Sequence, residues 1–148
     1  MSFLKDLQKF ISKYYEKHII ESGFHFVNES DGPGMGAIME FNNEEIKLQF
    51  INDRGQYFVS IGMKELWDLD LIMALFYLND LKNESNNKTS RKEILLNICN
   101  WNNYKTVSDL SSSHISEIIK LFLNNSIDSF EKELKMLNKE RVKYNWEN

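Results

Sequence analysis

The clearest pattern along the chain is an alternation of apolar and polar residues on both sides of the polar segment Asn52-Asp53-Arg54-Gly55. The apolar members of this alternation are Ile46, Leu48, Phe50, Tyr57, Val59 and Ile61. A period of two places one side of a strand against a core, and a short polar segment ending in glycine is typical of a hairpin. The pattern therefore predicts two antiparallel strands joined by a type I turn, with Gly55 at positive φ in a bulge.

Two further strands are predicted before this hairpin. Residues 24–28 alternate in the same way, and residues 37–41 form a second strand that a turn at Asn42-Asn43 connects to the third, over 45–51. Residues 28–36 hold the only proline and several other turn-forming residues, so we expect a loop there. Because none of these connections is long enough for a parallel crossover, the four strands are predicted to form an antiparallel meander.

Helical periodicity flanks the predicted sheet. Apolar residues recur every three or four positions over residues 3–21, with Ser2 placed to cap this helix and Gly23 placed to end it. Residues 64–81 are apolar on nearly every side. A helix without a polar face is normally buried, so we expect this second helix to pack across the hydrophobic face of the sheet.

The remainder of the chain is also predicted to be helical. Ser90 and Glu93 match a capping box that begins a helix through Trp101, and a last helical region covers 113–144, as one helix or as two. The 148 residues show no internal repeat and no flexible linker, which predicts a single domain over 1–148. The expected fold class is α+β: an N-terminal helix, a four-stranded antiparallel meander, and a helical C-terminal half packed on the sheet.

Composition and charge narrow the choice of partner. The chain is 42% hydrophobic and 27% charged, which is typical of a globular protein rather than a disordered one. Its net charge is −4, and its 18 basic residues include only three arginines. Nucleic-acid binding favours a concentrated basic face and the bidentate guanidinium of arginine. We therefore expect no nucleic-acid partner.

The N-terminus and the single cysteine bear on the compartment. Cys99 is alone, so the chain has no intrachain disulfide, and a cytoplasmic location is the default. The N-terminus is amphipathic and does not resemble a signal peptide. The longest apolar run, 71–78, is eight residues, well below the roughly 18 needed to span a bilayer. No membrane partner is expected.

No residue pattern predicts catalysis or a cofactor. The Gly-rich segment 31–36 is followed by a strand and by no Gly-Lys-Ser/Thr, so it is predicted to be a turn rather than a phosphate-binding loop. His18, His25 and His114 lack the i, i+4 spacing of a helical metal site. A catalytic pairing of Cys99 with one of the histidines depends on the fold and stays open. The favoured prediction is a protein that is not an enzyme and binds neither a metal nor a cofactor.

The candidate residues for partner binding are Trp67, Asp68, Asp70, Glu65 and Arg54. Trp67 beside two aspartates forms an aromatic anchor ringed by acids, and aromatic residues often supply much of the binding energy of interfaces. Glu65 and Asp68 would share one face of the predicted 64–81 helix, although acidic residues near a helix start also act simply by stabilising its dipole. Arg54 at the hairpin tip is free to contact a partner.

The segment from Phe41-Asn42-Asn43-Glu44-Glu45-Ile46 through Asp53-Arg54-Gly55-Gln56 to Gly62 resembles segments of small bacterial immunity proteins encoded beside polymorphic or contact-dependent toxins. The resemblance implies a cytoplasmic protein that binds one cognate toxin and blocks its active site or substrate path. It carries over no set of functional residues. An acidic surface bearing an aromatic side chain would complement a basic toxin domain and speed their encounter.

Two hypotheses follow for the function. The first is a non-catalytic protein-binding module, most concretely an immunity protein that neutralises a toxin by direct binding. The alternative is a small-ligand-binding protein or enzyme with a pocket between sheet and helices, near the Gly-rich loop 31–36.

Overall fold

The computed structural model describes residues 2–32, 36–82, 117, 118, 120, 122 and 127–147. In chain order the elements are α1 (Phe3–Tyr14), α2 (Glu16–Glu21), β1 (His25–Gly32), β2 (Gly36–Asn43), β3 (Ile46–Asp53), β4 (Gln56–Gly62), β5 (Leu66–Asp68), α3 (Leu69–Lys82) and α4 (Ile127–Glu147). The α+β class is confirmed. The predicted helix from Ser90 to Trp101 lies outside the described residues. So do Cys99, His114 and residues 123–126, where the predicted helical region 113–144 would divide if it formed two helices.

The sheet has five antiparallel strands in the order β1-β2-β3-β4-β5, rather than the predicted four. The additional strand, β5, pairs Ser60 with Asp68 and Gly62 with Leu66. Periodicity had placed these residues in a helix over 64–81, but the helix begins only at Leu69. The reason is local: Gly62 has no side chain, and a Cβ there would overlap the carbonyl oxygen of Glu65. The chain can thus fold back tightly onto the end of β4.

The turns of the two central hairpins differ from those predicted. Asp53 pairs with Gln56, which leaves a two-residue loop of Arg54 and Gly55 with φ of 53° and 95°. Positive φ at both positions indicates a type I′ turn and not a type I turn with a bulge. Primed turns are favoured in two-residue hairpins because their twist matches that of the strands. The β2–β3 loop is likewise two residues long, at Glu44 and Glu45 instead of the predicted Asn42-Asn43.

The first hairpin is longer than the sequence indicated. Strand β1 continues to Gly32 and β2 begins at Gly36, so most of the predicted 28–36 loop is strand, and residues 33–35 lie outside the described residues. Gly36 has φ of 98°, and a Cβ there would overlap the backbone carbonyl of Asn52. Glycine at this position allows β2 and the end of β3 to approach closely.

The N-terminal helical segment is two helices instead of one. Ser2 caps α1 as predicted, by accepting a hydrogen bond from the backbone N–H of Lys5 (3.3 Å). α1 ends before Tyr15, whose ring instead packs on Phe50 with centroids 5.2 Å apart. α2 ends as predicted at Gly23, which has φ of 74°. The N–H groups of Gly23 and Phe24 bond to the carbonyls of Ile20 and Ile19, the pairing of a Schellman motif.

The core lies between the sheet and the helices. α1 packs against β2 and β3, and its Phe10 ring stacks on Tyr57 of β4 with centroids 4.3 Å apart. The apolar helix α3 contacts β4, β5 and α4, so α1 rather than α3 covers the middle of the sheet. α4 buries Phe130, Leu134 and Leu137. Of the helices in the described ranges, none combines the length and apolarity required to cross a membrane.

One buried polar side chain joins these layers. Asn52 is 1% exposed, the only buried polar residue of the described part of the chain. Its Nδ2 donates to the carbonyl of Phe3 at 3.0 Å, and its Oδ1 accepts from the N–H of Gly55 at 2.8 Å. The first turn of α1 and the β3–β4 turn are therefore held by a single carboxamide.

We expect Gly36→Ala to lower the free energy of unfolding by about 3–5 kcal/mol, because it adds a backbone overlap to the strain of positive φ. Gly55→Ala is the matched control, since its φ is 95° and nothing lies within 4 Å of the added Cβ. This control should lose only about 1–2 kcal/mol. Urea denaturation measures both, and equal losses would contradict the packing role of Gly36.

Asn52→Ala should lower the free energy of unfolding by about 2–3 kcal/mol, because it leaves the Phe3 carbonyl without its bond from Asn52 and opens a small cavity. Gln49→Ala is the control on the same strand. Its Nε2 bonds only to the Glu40 carboxylate, at 3.0 Å, in a half-buried position. A loss under about 1 kcal/mol is expected there. Thermal unfolding that ranks Gln49→Ala as the more damaging change would contradict this assignment.

Candidate functional site

Four of the five predicted partner-binding residues lie at the edge of the sheet where β5 is the outermost strand. Trp67 and Asp68 lie on β5, Asp70 lies in the first turn of α3, and Glu65 lies in the turn before β5. The predicted helix face shared by Glu65 and Asp68 does not form, because neither residue is helical. Glu65 lies in the β4–β5 turn and Asp68 at the end of β5 instead. We call Glu65, Trp67, Asp68 and Asp70 the Trp67 cluster.

Both aspartates are bound to an arginine that the sequence reasoning did not connect with them. Arg141 of α4 donates from Nη2 to Asp68 Oδ2 at 3.0 Å, and its Nη1 lies 3.6 Å from Asp70 Oδ1. Nη2 also lies 2.8 Å from Asn138 Oδ1. The Arg141 side chain is only 18% exposed. These contacts tie α4 to β5 and α3. Because Arg141 is more than 70 residues away from both aspartates, no local sequence pattern indicated the contacts.

Asp70 has a pKa raised to about 6. Burial is the main cause, the neighbouring negative charge of Asp68 contributes in the same direction, and Arg141 partly opposes both effects. The Asp70 side chain is 21% exposed, whereas that of Asp68 is 44% exposed. Of the two aspartates, Asp68 is the one that a partner can reach more easily.

Trp67 presents its ring and not its N–H group to the surroundings. The residue is half-buried against the core, and its indole Nε1 is buried without a hydrogen-bond partner among the described residues. An unsatisfied buried donor costs on the order of 1–3 kcal/mol. A partner that contacts Trp67 would thus meet the ring surface, and hydrogen bonding would have to come from Asp68 or Glu65.

Arg54 does not belong to this cluster. It lies in the β3–β4 turn, at the end of β4 opposite to Glu65, which is about 20 Å for a strand of this length. Its Nε bonds to Asp53 Oδ1 at 3.1 Å, and both side chains are exposed. Arg54 and the Trp67 cluster would therefore require a partner that spans the length of a strand.

The most open part of the sheet is the strand β1, which holds none of the predicted partner-binding residues. β1 lies at the sheet edge, and every side chain from His25 to Asp31 is exposed. Phe26 and Val27 remain 54% and 51% exposed, although the Phe26 ring also contacts Phe41. The other edge strand, β5, has only three residues and is contacted by α3. The alternation at 24–28 predicted a strand, and the predicted meander put this strand at an edge, but neither showed that its side chains would be exposed.

The pairing of β1 with β2 is irregular, and this shapes the edge. The register shifts between Phe26 and Asn28, which leaves Val27 as the extra residue of a β-bulge. Beyond the bulge the strand carries the exposed carboxylates of Glu29 and Asp31. Bulges and charges are the features by which natural sheets restrict edge pairing, so unselective self-association is disfavoured. The edge is both apolar and acidic within eight residues.

The described residues bear on the metal and small-ligand hypotheses in two ways. Within them, no group of three or more His, Cys, Asp or Glu side chains is placed to hold a metal ion. An open groove of about 610 Å³ runs along α1 and is lined by Lys5, Gln8, Lys9, Ser12 and Lys13. All of its lining residues belong to α1, so it is not the pocket between sheet and helices of the alternative hypothesis.

No protein-family model, curated protein or solved structure matches this chain.

The raised pKa of Asp70 predicts how the stability depends on pH. Its folded-state pKa of about 6 exceeds the ordinary 3.8, so the stabilisation that protonation provides is full below about pH 4. It is lost as the pH rises through about 6. From pH 4 to pH 7 the wild-type protein should therefore lose up to about 3 kcal/mol of unfolding free energy relative to the Asp70→Asn variant. Urea denaturation across this range measures the shift, and a shift in the opposite direction would contradict the burial of a charged Asp70.

Proposed function

We propose that this chain is a non-catalytic protein-binding module that takes up an extended segment of a partner protein along β1. The observation that carries the proposal is the exposed eight-residue edge strand, with Phe26 and Val27 each more than half exposed. Backbone groups of an edge strand can bond to an added strand, and side-chain contacts then select among partner sequences.

The chemistry of the edge specifies the segment that it fits. Phe26 and Val27 offer apolar contacts at one end, and Glu29 and Asp31 offer negative charge at the other. A complementary segment is extended, apolar at one end and basic at the other. Opposite charges on the two partners would speed their encounter and set the direction of the added strand.

The most concrete form of the proposal is an immunity protein that neutralises a cognate bacterial toxin by direct binding. Support comes from the resemblance of residues 41–62 and from the acidic character of the sheet. Residues 25–62 contain six acidic and two basic side chains, so this segment alone has a charge of −4. A basic toxin domain would be attracted to it. The Trp67 cluster, with Glu65 and the half-exposed Asp68, is the second contact region of this proposal.

The experiment is an affinity pull-down of the tagged protein from its native host, read by mass spectrometry. One stoichiometric partner, encoded beside the gene for this chain, is the expected result. Val27→Lys should reduce recovery of that partner at least about tenfold, because it places a charge where the added strand would make apolar contact. The melting temperature should change little, since Val27 is exposed.

Two variants serve as controls. Met136→Lys introduces the same charge at a side chain that is 68% exposed on α4, the helix that packs on α3, and should leave recovery unchanged. Glu65→Lys tests the Trp67 cluster. Loss of the partner with Glu65→Lys but not with Val27→Lys would move the binding site from β1 to β5. Retention by both variants would reject both surfaces.

A further inference from the structure

The outward face of α4 carries a stripe of lysines. Lys132, Lys135, Lys139 and Lys143 are spaced three, four and four residues apart, so they lie along one side of the helix. All four are exposed. The opposite side is the one that buries Phe130, Leu134 and Leu137 and carries Arg141. The stripe is about 17 Å long, from the helical rise per residue.

Exposed apolar side chains stand among these lysines. Trp146 is 86% exposed, Met136 68% and Val142 47%. Met136 lies four residues after Lys132 and three before Lys139, and Trp146 lies three residues after Lys143, so each neighbours a lysine on the helix surface. Large apolar groups this exposed are unusual outside contact surfaces when they occur together.

Repulsion between the lysines is concentrated at Lys139, which has Lys135 and Lys143 four residues away on either side. The other three lysines each have a carboxylate three or four residues away, at Asp128, Glu131 and Glu140, a spacing that stabilises the helix. None of the four lysines takes part in a salt bridge with another described residue. An anionic surface placed against the stripe would relieve the repulsion and cover the apolar groups at the same time.

α1 shows what an ordinary solvated lysine face of this protein looks like. Lys5, Lys9 and Lys13 are also spaced four residues apart and exposed. Their neighbours on that face are the polar Gln8 and Ser12. The α4 stripe has the same charge spacing but tryptophan, methionine and valine in place of glutamine and serine. Charge alone therefore does not account for the composition of α4.

We infer that the outward face of α4 docks on an anionic lipid surface. The stripe is a convex helix face, and its cations are lysines, which act as point charges and not as bidentate forks. Basic side chains interspersed with tryptophan suit the interfacial region of a bilayer, where the lysines meet headgroups and the ring lies below them. The contact is peripheral, so the absence of a long apolar run does not bear on it.

The overall charge of −4 is compatible with this contact. Residues 25–62 already account for −4, so the rest of the chain is neutral in sum. At physiological salt, charges more than about 8 Å from the surface are largely screened. The lysines that touch the headgroups dominate the interaction, at a surface different from the β1 edge proposed for a protein partner.

The test is sedimentation of the purified protein with vesicles of phosphatidylglycerol and phosphatidylcholine in equal parts, against vesicles of phosphatidylcholine alone. Binding to the anionic vesicles only is expected. The triple variant Lys135→Gln, Lys139→Gln, Lys143→Gln should reduce the partition coefficient at least about tenfold. The matched variant Lys5→Gln, Lys9→Gln, Lys13→Gln removes the same charge from α1 and should reduce it less than about threefold. Circular dichroism and melting temperature verify that both variants fold.

Tryptophan fluorescence supplies the second measurement. Anionic vesicles should shift the emission of the wild-type protein to shorter wavelength, and Trp146→Phe should abolish the shift. No binding to anionic vesicles would overturn the inference. Equal losses of partition coefficient for the two triple variants would also overturn it, because they would show that the vesicles attract any exposed lysine and not the α4 stripe in particular. Binding without a shift from Trp146 would assign the stripe to electrostatic contact alone and reject docking of its apolar side chains.

Discussion

The structure depends most on the buried carboxamide of Asn52. A single side chain bonds to the first turn of α1 through the Phe3 carbonyl and to the β3–β4 turn through the Gly55 N–H. Gly36 of β2 lies directly against its backbone carbonyl. Because a buried amide is stable only when its donor and acceptor are both used, this geometry sets where α1 sits on the sheet. Phe10 and Tyr15 can then reach Tyr57 and Phe50.

A second polar contact has the corresponding role at the other end of the sheet. Arg141 holds α4 against β5 and α3 through two aspartates, one of which is largely buried. Such an arrangement is weak as a source of net stability but strongly unfavourable when one member is missing. Its value here is positional. It orients α4 so that Leu134 and Leu137 face the core while the lysine stripe faces outward.

These two contacts explain why the candidate surfaces lie where they do. α1 covers the middle of the sheet, and α3 with α4 covers the β5 side, so β1 remains as the long open edge. The acidic side chains of the sheet segment and the lysines of α4 are then presented by different elements. A protein that contacts a basic chain through one surface and anionic lipids through another would hold its partner near a membrane.

The sequence by itself determined the elements whose pattern is local: the hairpin around Arg54-Gly55, the Ser2 cap, the end of α2 at Gly23 and the α+β class. Its periodicity placed residues 66–68 in a helix, because three apolar-rich residues before a long apolar helix carry no separate signal. The pairing of β5 with β4 depends on the tight turn that Gly62 allows and on the backbone groups that β4 offers for pairing. Likewise, residues 67–70 indicated an acidic aromatic patch, but only the tertiary structure brought Arg141 to it and left β1 exposed. Contacts between residues far apart in the chain depend on how the layers pack, and no local spacing encodes that.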